Sequence, residues 1–172
     1  MKPLSLKMRA IGLLSQREHS LLELRRKLLR IAREQRAARV AEAGLGDDTG
    51  PEDGEEGESS CADEVDTLLA WLQAQGYLSE SRFVESRIHA RSQRYGSLRI
   101  KQELAQHGLS LSAESQAELK ATELARAQAI WLRKFGGSYP QDQAARAKQT
   151  RFLVARGFAP EVVRRVLRSE SE

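Results

Sequence analysis

The sequence predicts an all-α protein made of tandem three-helix repeats, about nine short helices forming an elongated, curved array. Three observations carry this expectation. Apolar residues recur every three or four positions through most of the 172-residue chain. The motif Leu-x-x-x-Gly-apolar occurs three times, at Leu72 to Tyr77, Leu104 to Leu109 and Leu153 to Phe158. Further glycines, Gly96 and the pair Gly136 and Gly137, divide the later chain at equivalent points. Units of this kind bury little surface alone and stack on their neighbours.

The first helix is expected over 4–16, where Leu4, Met8, Ile11 and Leu14 share a face. Ser20 with Glu23 reads as a capping box opening a second helix over 20–40, with the stripe Leu21, Leu24, Leu28 and Ile31. The stretch 44–60 is acidic, rich in glycine and nearly without apolar groups. It buries too little surface to offset its ordering entropy, so residues 41–62 read as a disordered acidic insert between the second and third helices of the first repeat. Helical spacing resumes at Val65, Leu68, Leu69 and Leu72, giving a helix over 64–75. The glycine of each Leu-x-x-x-Gly motif can take the left-handed conformation that closes a helix in a Schellman turn. A starting signal follows each one: Ser79, then Ser110 and Ser112, then Pro160. The remaining helices fall at 80–94, 98–107, 111–119, 120–135, 142–156 and 160–168. Grouped in threes, they give units at 1–76, 77–119 and 120–168, with a tail at 169–172.

Charge is segregated along this framework. The formal net charge is only +4, yet Ala41 to Glu64 holds ten acidic residues and no lysine or arginine. The other 148 residues carry 28 basic and 14 acidic groups, a balance that points to a polyanionic or acidic partner. One cysteine, Cys61, rules out an intramolecular disulfide or a thiolate metal cluster and fits a reducing cytoplasm. The longest apolar run, Leu68 to Leu72, is far short of the ~18 residues of a membrane span. The N-terminus lacks the apolar region of a secretory signal. No phosphate loop, metalloprotease motif or nucleophile elbow is present, and His19, His89 and His107 have no partner at helical spacing. We therefore expect no enzyme activity, no catalytic residue, no bound metal and no cofactor. Cys61 lies among acids that raise a thiol pKa, and Asp63, Glu64 and Asp66 suit the positive end of the helix they open better than a metal site.

Of the 28 basic residues, 21 are arginine, whose planar fork pairs bidentately with phosphate. Arg26, Arg30 and Arg33 lie together opposite the leucine stripe of the second helix. Arg87, Arg91 and Arg94 also align, beside the apolar face of their own helix, where their stems can cover core. Arg99 and Lys101 open the next helix, and Lys148 and Arg151 lead a basic C-terminal unit. These ten are the candidate contacts to DNA or to a protein partner, with a solvated helix face as the plain alternative for any one of them. Among the aromatics, Tyr95 and Tyr139, each beside a glycine loop, are candidates for stacking on a base, and the others read as core or cap. Ile100 to Leu119 has helix-turn-helix spacing, a pattern that any tight helix-glycine-helix connection produces.

Four stretches, in order, are similar to the RecX family of recombinase regulators: Ala10 to Leu28, Leu72 to Phe83, Gly96 to Leu109 and Phe152 to Phe158. Where that family often has an acidic pair after Gly-Tyr-Leu, this chain has Ser79, Glu80 and Ser81, and its acidic insert is longer. The resemblance implies a non-enzymatic cytoplasmic protein that binds the RecA recombinase and its DNA filament and restrains ATP hydrolysis and strand exchange. Such a protein would act in recombination, DNA repair and the SOS response, touching single- and double-stranded DNA without sequence preference, as a monomer and away from membranes. The alternative is a stand-alone helix-turn-helix DNA-binding protein. The acidic insert reads either as a plain linker or as a nucleic-acid mimic for the chain's own arginine faces.

Overall fold

The computed structural model of the chain describes residues 4–42 and 51–168. Among these residues there are eight helices and no strand: α1 (Leu6–Gln16), α2 (Leu21–Glu42), α3 (Pro51–Ala74), α4 (Glu80–Ser92), α5 (Ser97–Ala105), α6 (Ala113–Phe135), α7 (Gln143–Ala155) and α8 (Pro160–Val166). The chain divides into two compact units between Phe83 and Val84.

In the first unit, Ser5 caps α1, its Oγ accepting from the Met8 amide at 3.3 Å. Ser20 Oγ accepts from the Glu23 amide at 3.1 Å, which forms one half of the capping box. The Glu23 carboxylate also meets Arg17 and Lys27. Leu24, Leu28 and Ala32 of α2 are buried with Val65, Leu69 and Leu72 of α3 and with Leu6 and Ala10 of α1. Removing a side chain such as Leu28 from this layer costs about 2–5 kcal/mol. Arg25 donates bidentately to Asp66 at 2.6 and 2.8 Å, strapping α2 to α3; the pair is exposed and adds little to stability.

Two expectations are corrected. The backbone from residue 51 onward is helical, so the acidic stretch is not a disordered insert over its described part; residues 43–50 lie outside the described residues. Pro51 stands at the first helical position, where a fixed φ and a missing N–H are harmless. Once Val65, Leu69 and Leu72 anchor α3 on α2, extending it requires only propagation, which tolerates a sequence poor in apolar groups. Cys61 belongs to the same helix, buried in the core beside Val65. The second correction joins the helices expected over 111–119 and 120–135 into the single helix α6, which brings about nine helices to eight among the described residues. No glycine or proline interrupts residues 113–135, and Ser112 caps the whole run by accepting from the Ser115 amide at 3.1 Å.

The three Schellman endings form as expected. The Tyr77 amide donates to the Leu72 carbonyl at 2.9 Å, Leu109 to Leu104 at 3.0 Å and Phe158 to Leu153 at 3.3 Å, around Gly76, Gly108 and Gly157 with φ of 73°, 71° and 80°. The core of the second unit comprises Ala127, Ile130 and Trp131 of α6, Leu153 of α7, and Phe158, Val163, Val166 and Leu167. Trp131 donates through Nε1 to Gln149 Oε1 at 2.7 Å, and Gln149 Nε2 donates to the Ser138 carbonyl at 3.0 Å, so the buried amide is satisfied at both ends. Glu123, also buried, accepts from the Ser97 amide at 3.0 Å and places a carboxylate at the positive end of α5.

Two loops of this unit meet backbone to backbone. The Gly96 amide donates to the Arg156 carbonyl at 2.8 Å, and the Leu98 amide to the Gly157 carbonyl at 3.1 Å. A Cβ at Gly96 would lie 2.2 Å from the Gly157 oxygen. Gly96 itself has an ordinary φ of −76°, so close approach, not conformation, demands glycine there. At Gly157 both reasons apply, since a Cβ would also stand 2.5 Å from that of Arg99.

Candidate nucleic-acid interface

The candidate residues on α2 come out as one exposed surface. Arg26, Arg30 and Arg33 are all exposed on the side away from Leu24, Leu28 and Ala32, and with Lys27 and Leu29 they line a shallow groove. Arg30 lies 3.7 Å from Glu34, both largely in water, so screening leaves that pair weak and the arginine available. At the start of α2 the charges are internal. Lys27 Nζ donates to His19 Nε2 at 3.0 Å, which leaves Nδ1–H to donate to the Arg17 carbonyl at 2.9 Å. Burial of this ring pushes its pKa below the ordinary histidine value, keeping it neutral. Burial pushes the Glu23 carboxyl up, but hydrogen bonds from Arg17 and Lys27 outweigh it and hold the group at about 2.

Around α4 and α5 the candidates separate. Arg87 and Lys101 are half-buried. Arg91 pairs with Glu103 at 3.0 Å, and Arg99 approaches the same carboxylate at 3.7 Å while donating to the Ala155 carbonyl at 3.3 Å. Both guanidinium groups lie over the Tyr95 ring, at 5.6 and 4.4 Å from its centre. These two arginines are committed to structure. Arg94, by contrast, is exposed in the turn after α4. Lys148 and Arg151 are exposed on α7.

Arg94 opens onto a cleft of about 350 Å³ lined by Gln93, Arg94, Tyr95, Ile130, Arg133, Lys134, Phe152 and Arg156. Its basic members Arg133 and Lys134 belong to the last turn of α6, and Arg156 caps α7 with its guanidinium 4.3 Å over Phe152. The C-terminal turns of α4, α6 and α7 thus converge here. Sequence reasoning did not single out Arg133 and Lys134 and gave Arg156 only as part of a basic unit. The signal available was positional, for Arg133, Lys134 and Arg156 stand one to three residues before the glycine that ends their helix, and Arg94 stands two before the glycine that opens α5. Arg126, also unforeseen, runs beneath this region: its Nη1 donates to the Ser92 and Tyr95 carbonyls at 2.9 and 2.8 Å and its Nη2 to the Leu119 carbonyl at 2.9 Å.

Of the two tyrosines singled out as base contacts, Tyr95 is half-buried and lines the cleft. Tyr139 packs its ring 5.0 Å from that of Trp131 and serves the core. Tyr77 holds its expected cap position through its amide, but its ring is not core, being 48% exposed and stacked 5.7 Å from Trp71, over which Lys7 sits at 3.6 Å. Among the described residues no group of three or more histidine, cysteine or acidic side chains could hold a metal ion, and no helix is long and apolar enough to cross a membrane.

Residues 79–113 match the family model for the second three-helix domain of RecX, and residues 121–167 match that for the third. The chain is 46% identical over 168 residues to the regulatory protein RecX of Ralstonia nicotianae, covering 96% of this chain and 88% of that one. It is 42% identical over 173 residues to the Ralstonia pickettii protein of that name, covering 99% and 91%. Against the Leptothrix cholodnii protein the identity is 40% over 167 residues, covering 96% and 88%. Gly96 lies in one matched segment and Gly157 in the other, so the backbone contact between their loops joins the two domains.

Proposed function

This chain belongs to the RecX family of regulatory proteins, and from that premise we propose that it binds the RecA recombinase and its DNA filament and inhibits ATP hydrolysis and strand exchange. In this reading it tempers recombination, DNA repair and the SOS response. It works in the cytoplasm as a monomer built of three-helix units, the second and third of which share the continuous helix α6. The observation that carries the reading is likeness along 96–99% of the chain, at 40–46% identity, to proteins named regulatory protein RecX.

The described surface supports contact with DNA. Arg26, Arg30, Arg33, Arg94, Lys148 and Arg151 are exposed, and arginine and lysine on open helix faces give weak, salt-dependent attraction to single and double strands alike. Arg87, Arg91, Arg99 and Lys101 have a lesser claim as DNA contacts. Arg91 and Arg99 already serve Glu103 and Tyr95, so they act by shaping the surface around them.

The test is a titration of the purified protein against recombinase filaments assembled on single-stranded DNA, following ATP hydrolysis and filament lifetime. Hydrolysis should fall at substoichiometric or stoichiometric protein. No change in either quantity would sink the proposal.

A further inference from the structure

We infer that the cleft where α4, α6 and α7 end is a site for single-stranded nucleic acid. It takes one nucleotide of the strand, with the phosphates on Arg94, Arg133, Lys134 and Arg156 and the base against Tyr95 and Phe152. The inference rests on the reading of the protein as one that works at a DNA filament, and adds where the strand is held and in what form.

The plain account of these cations is that they neutralise helix dipoles. Each helix C-terminus carries about half a negative charge, so three converging ends supply about −1.5. Four cations at the cleft exceed that by about 2.5 charges, a surplus the dipoles leave uncompensated. The surplus is larger still because Arg126 already satisfies the Ser92 and Tyr95 carbonyls at the end of α4. Several cations elsewhere are paired with carboxylates, as Arg25 is with Asp66, Arg82 with Glu18 and Arg91 with Glu103. Among the described residues, Arg94, Arg133, Lys134 and Arg156 have no carboxylate partner, and no acid lines the cleft. Concentrated, unneutralised positive charge of this kind calls for a polyanion.

The remaining walls specify which polyanion. Tyr95, Phe152 and Ile130 give the cleft apolar sides, with Arg99 and Arg156 laid over the two rings; a phosphate alone does not need such walls, whereas a base packs on rings and on guanidinium planes alike. A volume near 350 Å³ lies at the small end of sites that enclose a compact ligand. Bases of a duplex are stacked inside it, so a duplex can lay phosphates on the rim but cannot insert a base. An unpaired strand can do both.

The experiment measures fluorescence anisotropy of a labelled oligothymidylate and of a duplex of equal length, without recombinase, across a salt series. Parent protein is compared with the double variant Arg133→Gln, Lys134→Gln. A second double variant, Arg164→Gln, Arg165→Gln, removes the same charge from exposed positions on α8. Each lost phosphate contact lowers the salt slope for a single strand by about 0.7, so the cleft pair should lower it by about 1.4, a ~25-fold loss at about 0.1 M salt if binding converges at 1 M. Duplex binding should change much less, and the α8 pair should not reproduce the selective loss. Arg94→Gln, at an exposed turn, should give about fivefold by the same arithmetic and covers any failure of the double variant to fold.

Equal losses on strand and duplex, equal losses from the two pairs, or no loss would overturn the inference. So would a cleft variant that keeps strand affinity but loses its effect on the filament, which would assign the cleft to protein contact and leave the regulatory reading intact. Strand-selective loss in a protein that leaves filaments untouched would uphold the cleft and reject that reading.

Discussion

Alanine at Gly96 puts the backbone contact of the second unit to a quantitative test. Its Cβ would stand 2.2 Å from the Gly157 oxygen and 2.4 Å from both Gly157 C and Phe158 N. All three are backbone atoms, so no rotamer change relieves the overlap and the two loops must part. Parting breaks the hydrogen bonds from Gly96 to Arg156 and from Leu98 to Gly157, about 1 kcal/mol each. It also loosens Phe158, now 1% exposed, for about 1 kcal/mol more. The total is about 3 kcal/mol of lost stability. Gly76 supplies the control, because it has φ +73° and nothing within 4 Å of a would-be Cβ, so Gly76→Ala incurs only the left-handed penalty of about 1–2 kcal/mol. Gly157→Ala combines both effects and should be the worst of the three. Urea unfolding followed by tryptophan fluorescence can read this, since Trp71 and Trp131 fall in different units and Trp71→Phe leaves the second as reporter. With a slope near 1 kcal/mol/M, a loss of about 3 kcal/mol moves the midpoint down by roughly 3 M. If Gly96→Ala is no more harmful than Gly76→Ala, the close approach argued here is wrong.

Other perturbations reach the first unit and the charge layout. The Glu23 carboxyl, held at about 2 against an ordinary 4.5, contributes stability that is complete above pH 4.5 and is lost as pH falls toward 2. His19, whose pKa lies below the ordinary 6.5, adds a loss in the same direction that begins below pH 6.5. Melting of the first unit should therefore fall on acidification, and Glu23→Gln should flatten the curve below pH 4.5; an unchanged curve would contradict the assignment. Gln149→Leu strands the Trp131 indole N–H inside the core and should cost about 1–3 kcal/mol by urea unfolding, an effect that Trp131→Phe in the same background should largely relieve. Deleting residues 44–60, which include the first ten residues of α3, should raise DNA affinity most at low salt as the acidic stretch ceases to compete for the arginine faces; unchanged affinity would refute that competition.

Local physics made much of this fold legible. A glycine four residues after a leucine, followed by an apolar residue, has few uses other than a Schellman ending, and all three instances form it. The face carrying Arg26, Arg30 and Arg33 was readable because helical periodicity alone sets it opposite Leu24 and Leu28. What escaped depended on partners distant in sequence. Tyr77 follows its glycine as Phe158 does, yet only Phe158 is buried, because Leu78 takes the core position at the first site. Arg91 and Arg99 looked like phosphate forks until Glu103 came within reach of both. The cleft is assembled from three helix ends that lie far apart along the chain, and no single window of sequence contains it. The helical start of α3 was missed for a different reason: counting apolar side chains ignores how little a helix needs to extend once one end is anchored.

The meeting of Gly96 with Gly157 also sets an order of events during synthesis. The two residues are 61 positions apart, and at about 5–20 residues per second the ribosome needs roughly 3–12 s to travel between them. For that interval α4 and α5 exist without the loop that fastens them, their apolar faces open to chaperones and to one another's copies, whereas the first unit already has its whole core. A nascent chain should therefore acquire protease resistance in two steps, and the second should come only when the α7 to α8 turn emerges.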